Sequence, residues 1–265
     1  MPSLPLLSAR SIVFRDILLF GLGIVGIFWF FRTSATELNY YWQWYRVPPY
    51  LYRIVDGRFV AGPLLDGLWV TVKITATSLV LAFAFGMVTA FLRLSQSVLG
   101  VFIARAYLEL IRNTPLLVQL FFIYFVLAPV FDWSAWPSAV LALSLFEGAY
   151  VSEIFRAGIV SINRGQWEAA QSIGLGTVGM YRHVILPQAI RRVLPPLTGQ
   201  AVSLIKDSAL VSTIAIYDLT MRGQTIIADT FLVFEIWFVV AAIYLVLTLL
   251  LSLGVTVMER RMQRQ

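Results

Sequence analysis

No cysteine occurs among the 265 residues. That excludes disulfides, thiol nucleophiles and thiolate metal sites, and leaves the redox compartment open. Histidine is almost as scarce, with His183 the single one, beside Arg182. Without a second histidine, zinc ligation and Ser–His–Asp chemistry lack a constellation, and His183 reads as a solvated loop residue. A membrane-embedded enzyme would need a cluster of nucleophile, base or metal ligands, and the sequence offers none. The backbone cradle for nucleotide phosphates, Gly-x-x-x-x-Gly-Lys-Ser/Thr, is missing too. The chain should therefore not hydrolyse ATP itself, and no cofactor is expected in it. Charged residues make up only 13% of the chain, too few for a soluble domain of this length.

What fills the chain instead is hydrocarbon. Hydrophobic residues reach 59% and the mean hydropathy is +0.82. A spanning helix needs about 20 apolar residues. Apolar runs lie at Ile17–Phe31, Leu68–Leu92, Leu116–Val130, Trp136–Phe155, Leu197–Ile216 and Phe231–Val257. They are continuous rather than alternating, which excludes the strands of an outer-membrane barrel. The expectation is an all-α, polytopic membrane protein of about six transmembrane helices, five core and one N-terminal. The first run is short, roughly 22 Å of helix against a core of about 30 Å. Arg10 and Arg15 before it and Thr33-Ser34-Ala35 after it also fit a cleaved signal peptide. Trp29-Phe30-Phe31-Arg32 fits a retained interfacial anchor, and both readings stay open.

Lysine and arginine exceed aspartate and glutamate by 20 to 14. Placing both termini and the Glu168 loop inside gathers most arginines there, among them Arg93, Arg105, Arg112, Arg164, Arg191 and Arg192. The outside keeps Arg32, Arg46, Arg53, Arg58 and Arg222. Positive residues favour the cytoplasm, so the termini are expected inside. The pI near 9.8 is explained this way, without a nucleic-acid role.

Residues 1–63 form a first region, an N-terminal helix followed by an outer segment crowded with Tyr40, Tyr41, Trp42, Trp44, Tyr45, Tyr50 and Tyr52. Pro48-Pro49 should break any helix there. Aromatic rings favour the headgroup zone, and a docking surface for an external protein is the sharper alternative. Residues 64–265 form the core, interrupted by a polar loop at about 159–187.

In that loop Trp167, Ala170 and Ile173 recur at helical spacing and would share a face. Small Ala169 and Ala170 permit close approach of another surface. Gly174 allows a turn that a Cβ would resist. Thr177 can cap a second helix that runs past Pro187 through Arg191-Arg192. The product is a compact helix–turn–helix at the membrane surface, suited to transmit a push.

Glu168-Ala169-Ala170, three residues, Gly174, nine residues, then Val184-Ile185-Leu186-Pro187 resembles the cytoplasmic coupling loop of ABC importer permeases; Val184 stands where isoleucine is usual. Arg112-Asn113-Thr114-Pro115-Leu116-Leu117-Val118-Gln119, Gly148-Ala149-Tyr150-Val151-Ser152-Glu153-Ile154 and Ser203-Leu204-Ile205-Lys206-Asp207-Ser208-Ala209-Leu210 resemble stretches of the polar-amino-acid permeases, the histidine/glutamine/glutamate family. The likeness covers roughly residues 68–257. It implies a permease subunit of an ATP-driven importer in the bacterial cytoplasmic (inner) membrane, moving a polar amino acid by alternating access. The implied partners are two ATPase subunits that bind ATP and Mg, a second permease chain, and an extracytoplasmic solute-binding protein. Trp167, Glu168, Ala169, Ala170, Gly174, Leu186 and Pro187 would form the ATPase-coupling loop. The identity of the amino acid, and whether the second permease is identical, stay open.

Charge at mid-bilayer costs roughly 2.5–3.5 kcal/mol on insertion scales, so Glu147, Lys206 and Asp207 are candidate pathway residues. Glu147 and Lys206 are expected either to approach each other or to flank a polar cavity where a zwitterionic amino acid passes; a buried pair that only fixes helix packing is the alternative. Phe146-Glu147 departs from the small polar residues usual there in the family. Glu153 reads first as an i, i+3 partner of Arg156 and second as a pathway residue. Lys73 is expected to snorkel past Asp66, Glu235 to sit at the outer boundary, and Pro195-Pro196 to part the loop's second helix from the next span. The rival function is an ion-gradient-driven secondary amino-acid transporter. That class often shows inverted repeats and broken helices, and no internal repeat is visible.

Overall fold

A computed structural model of the chain describes residues 9–37 and 40–263. It divides into two compact units, Met1–Trp44 and Tyr45–Gln265. In the first, α1 (Ala9–Glu37) is one uninterrupted 29-residue helix, roughly 43 Å long. The short apolar run is the middle of this longer helix. Near the end of the unit, Trp42 stacks on Trp44 at 5.8 Å.

The second unit opens with α2 (Pro48–Leu51) and the antiparallel strands β1 (Tyr52–Val55) and β2 (Arg58–Ala61). Here the sequence expectation needs correction. Pro48-Pro49 starts a helical turn instead of breaking one, because proline at the first helical positions gives up only an amide with no partner there. A hairpin was not expected at all. Asp56 and Gly57, both at positive φ, make the two-residue turn that an Asp-Gly pair favours.

The core is built on α3 (Pro63–Leu94) and α7 (Ala135–Val160). The two run parallel, with Ser144 Oγ donating to the Ser78 carbonyl at 3.2 Å. Small residues let them touch: a Cβ on Gly86 would lie 2.5 Å from Val151 Cγ1, and one on Gly148 would lie 2.9 Å from Phe85 Cβ. Close approach through glycine is how membrane helices gain packing without a hydrophobic drive between them. Between them in sequence come α4 (Val98–Arg112), α5 (Leu116–Phe121), a π-helical turn over Phe122–Leu127, and α6 (Ala128–Phe131). Asn113-Thr114-Pro115 bends this stretch by 105°, as expected where proline bars helix continuation. α12 (Val233–Gln263) closes the unit and is enclosed far less than α7. Between α10 and α12 lies α11 (Leu219–Thr230).

Among the described residues, α3, α7 and α12 are long and apolar enough to cross a membrane, and α4 to α6 make a fourth span if the bent stretch counts as one. The expected span Leu197–Ile216 does not stand as a helix of its own. α10 (Leu186–Asp207) passes straight through Pro195-Pro196 and then tightens to a 3₁₀ turn over Ser208–Ile214. The expected break at the prolines is absent. Just past them, Thr198 Oγ1 donates to the carbonyls of Leu194 and Pro195.

Candidate functional site

The Glu168 loop is a rigid, braced structure. α8 (Arg164–Ser172) begins at Asn163, whose Oδ1 accepts from the Gly165 amide at 2.8 Å. It ends at Gly174, where φ is +79°. The Gly174 amide donates to Gln171 O at 2.9 Å and the Leu175 amide to Ala170 O at 3.2 Å. This pair of bonds is the Schellman closure, which needs a left-handed residue at that place. α9 (Thr177–Met180) then starts with Gly176, not Thr177, in the capping position. A π-helical turn over Tyr181–Ile185 joins α9 to α10, just before Pro187, whose missing N–H disturbs the regular ladder.

The inner face of the loop packs as a small core of Ile159, Ile162, Ala170, Met180, Ile185 and Ala189. Trp167 meets the Tyr181 ring edge-on at 5.3 Å. Gln188 Nε2 donates to Gln166 Oε1 at 3.0 Å, and Arg192 ties α10 to Ser161 at the end of α7. Ile173 leaves the face it was expected to share with Trp167 and Ala170, since it lies one residue beyond α8. It is 75% exposed and Val178 is 80% exposed, two large apolar side chains at the outer edge of a polar loop. Glu168 is exposed and accepts from Arg164 Nε at 3.0 Å, Ala169 is exposed, and Pro187 is exposed beside half-buried Leu186. His183 is exposed, with Nδ1 3.0 Å from the Gly179 carbonyl.

Deeper in the unit, Glu147 is completely buried on α7. The expected pairing with Lys206 is not there. Lys206 is exposed, and Gln200 Nε2 on α10 donates to Glu147 Oε2 at 2.6 Å. Asp207 is the neighbouring acid. Gln200 and Asp207 are two helical turns apart and share a face, whereas Lys206 is turned about 100° away. Glu147 Oε1 has no hydrogen-bond donor. Sequence reading missed Gln200, although a glutamine inside an apolar run, seven residues before Asp207, was the available signal.

Glu153 pairs with Arg156, whose Nε lies 3.2 Å from Oε1, and also with Arg93 at the end of α3. Arg93 was not anticipated as a partner. Lys73 Nζ lies 5.9 Å from the centre of the Trp69 ring, one turn toward the start of α3. Glu235, expected near the outer boundary, is fully buried.

Residues 64–264 match the family described as binding-protein-dependent transport system inner membrane component. The chain belongs to this family. The glutamine transport system permease protein GlnP of Escherichia coli (strain K12) is 38% identical over 203 residues, covering 76% of this chain and 93% of the relative. The L-cystine transport system permease protein TcyB of Bacillus subtilis (strain 168) is 42% identical over 208 residues, covering 76% and 88%. A crystal structure of an amino acid ABC transporter with histidines superposes with a TM-score of 0.71 at 38% identity, covering 75% of this chain and 94% of that one. The MetNI methionine ABC transporter, at 18% identity and a TM-score of 0.64, shares the fold. As a binding-protein-dependent transport component, the chain is a membrane transport subunit of the all-α class.

Proposed function

We propose that the chain is the permease of an ATP-driven importer that carries a polar amino acid across the cytoplasmic membrane by alternating access. The braced loop around Gly174 carries this reading. A rigid helix–turn–helix with two exposed apolar side chains at its edge is built to be gripped by another protein, and scattered surface residues have no need of such bracing. Trp167 and Ala170 hold the loop together, Leu186 faces α3 and α7 residues at the start of α10, and Glu168, Ala169 and Pro187 lie on the outer side. Two ATPase subunits, binding ATP and Mg, dock there on a pair of permease chains. Closure of the ATPases pushes α8 against the inner ends of α7 and α10. Both termini and the loop face the cytoplasm, in keeping with the arginine bias, and an extracytoplasmic binding protein delivers the substrate on the other side.

Glu147 and Asp207, with Gln200 bonded to Glu147, border the substrate pathway, and Lys206 and Glu153 lie along it. A polar amino acid as substrate is supported by the names of the glutamine and cystine permeases that the chain resembles. The experiment is purification of the tagged chain from its native membrane. An ATPase should accompany it, and disruption of Glu168–Gly174 in a folded permease should release that ATPase. A chain that purifies alone and transports on an ion gradient without ATP would overturn the reading.

A further inference from the structure

α4 carries two different cavities on either side of its last turn. The first, about 370 Å³, is polar and is lined by Arg93, Arg105, Glu109, Arg112, Asn113 and Tyr150. It holds three guanidinium groups against one carboxylate. Arg93 is engaged by Glu153, and Glu109 accepts from Asn113 Nδ2 at 2.8 Å. Among the described residues, Arg105 and Arg112 make no ion pair; Arg112 rests over the Tyr150 ring, 5.7 Å away. An uncompensated pair of arginines in a concave site is an anion receptor, because the guanidinium fork matches phosphate geometry.

The second cavity, about 460 Å³, is apolar and is lined by Leu110, Val118, Phe122, Leu141 and Leu145 among others. The two are contiguous in sequence on both helices. On α4, Leu110 and Ile111 of the groove alternate with Glu109 and Arg112 of the basic cavity. On α7, Tyr150 lines the basic cavity, and Leu145 and Leu141 line the groove. The nine-residue separation of Leu141 and Tyr150 extends the site by about 13 Å along the helix. The basic end lies toward the Glu168 loop, since Arg93 precedes Leu94, which packs against that loop's core. The apolar end runs away from it, toward the middle of α7.

A charged head and a hydrocarbon tail, in that order from the membrane surface inward, describe one kind of molecule. We propose that this cleft binds an anionic phospholipid of the leaflet on the coupling-loop side, its phosphate between Arg105 and Arg112 and one acyl chain in the groove. Basic pockets between membrane helices on the cytoplasmic side suit acidic headgroups on electrostatic grounds. The apolar groove separates a lipid from free phosphate, which would have no use for it. The inference rests on the membrane placement of the chain and not on its transport partners.

The test is native mass spectrometry of the full-length protein, with whatever subunits accompany it, in mild detergent with added phosphatidylglycerol, phosphatidylcholine or inorganic phosphate. Phosphatidylglycerol should be retained in preference to phosphatidylcholine, and phosphate should not displace it. Each of Arg105→Gln and Arg112→Gln should weaken retention about fivefold. Val118→Trp fills the groove while leaving the arginines in place, and should weaken it as well; Val118 is exposed, so folding should survive. Unchanged retention in these variants would overturn the proposal. Equal retention of both lipids, or displacement by phosphate alone, would also overturn it, the latter in favour of a free-anion site. Retention only in the monomeric permease, lost on pairing, would overturn it in favour of a second copy covering the groove. Because the readout is lipid mass, it stands or falls apart from any measurement of transport.

Discussion

Gln200 on α10 donates through Nε2 to Oε2 of Glu147 on α7 at 2.6 Å, and that carboxyl is completely buried. The bond joins the helix that leaves the Glu168 loop to α7, the most enclosed of the three membrane-length helices. Removing a donor from a buried acceptor costs about 1–3 kcal/mol, more for a charged one. Gln200→Leu should therefore lower the unfolding temperature in detergent, whereas Glu147→Gln, which removes the buried acid but keeps a carbonyl to accept from Gln200, should be milder. Adding Glu147→Gln to Gln200→Leu should restore part of the loss. If Gln200→Leu unfolds at the wild-type temperature, the bond does not hold these helices together.

Gly86 fixes how closely α3 and α7 pass. Its absent Cβ would lie 2.5 Å from Val151 Cγ1, so Gly86→Ala should cost about 1–3 kcal/mol by overpacking. Val151→Ala removes the obstructing methyl groups. Its Cβ, 2.8 Å from the added one, and the Gly148 carbonyl at 3.1 Å remain, so the double variant should recover part of the loss, a coupling of the kind neighbouring residues show. Thermal unfolding of the two single variants and the double gives the coupling directly. Additive losses would mean that the two residues do not compete for the same space.

The long apolar helices α3, α7 and α12 were legible because continuous hydrophobicity over a bilayer's thickness has few other causes. The loop was legible through spacing, with Glu168, Gly174 and Pro187 marking helix, turn and re-entry. Three features were not legible. Leu197–Ile216 reads as a span by composition, yet Pro195-Pro196 sit inside α10, since a helix packed against neighbours can continue through prolines that would end it alone. Glu147 was assigned to Lys206 by depth alone, and depth says nothing about which face of a helix a residue occupies. The hairpin at Asp56-Gly57 was hidden because its strands are four residues each, too short for alternation to register against an aromatic-rich background.

Gly174 is held at φ +79°, a conformation that costs other L-residues roughly 1–2 kcal/mol. Gly174→Val should unseat the closure of α8 and weaken ATPase retention without dissolving the membrane helices. Gly174→Asn should be tolerated far better, because asparagine visits this region more readily. The comparison is made by co-purification, with circular dichroism as the check on the helices. Equal behaviour of the two variants would mean that the left-handed turn is not what the loop requires.

Ile173 and Val178 separate the docking role of the loop from its folding. Both are exposed, and neither belongs to the core that Ala170 and Ile185 share, so charging them should barely disturb the permease itself. Surface substitutions away from a packed feature usually fall within about 0.5 kcal/mol. At an interface the same change is costly, since a charge brought against an apolar patch must be desolvated without a partner. Ile173→Asp and Val178→Asp should each leave the unfolding temperature of the isolated permease close to wild type. Each should also weaken ATPase binding by about tenfold or more, a cost of about 1.4 kcal/mol. Titration of the purified ATPase against permease in nanodiscs measures this. Weakening by Gly174→Val but not by these two variants would move the contact from the loop's edge to the outer face of α8, where Glu168 and Ala169 would then be the residues to change.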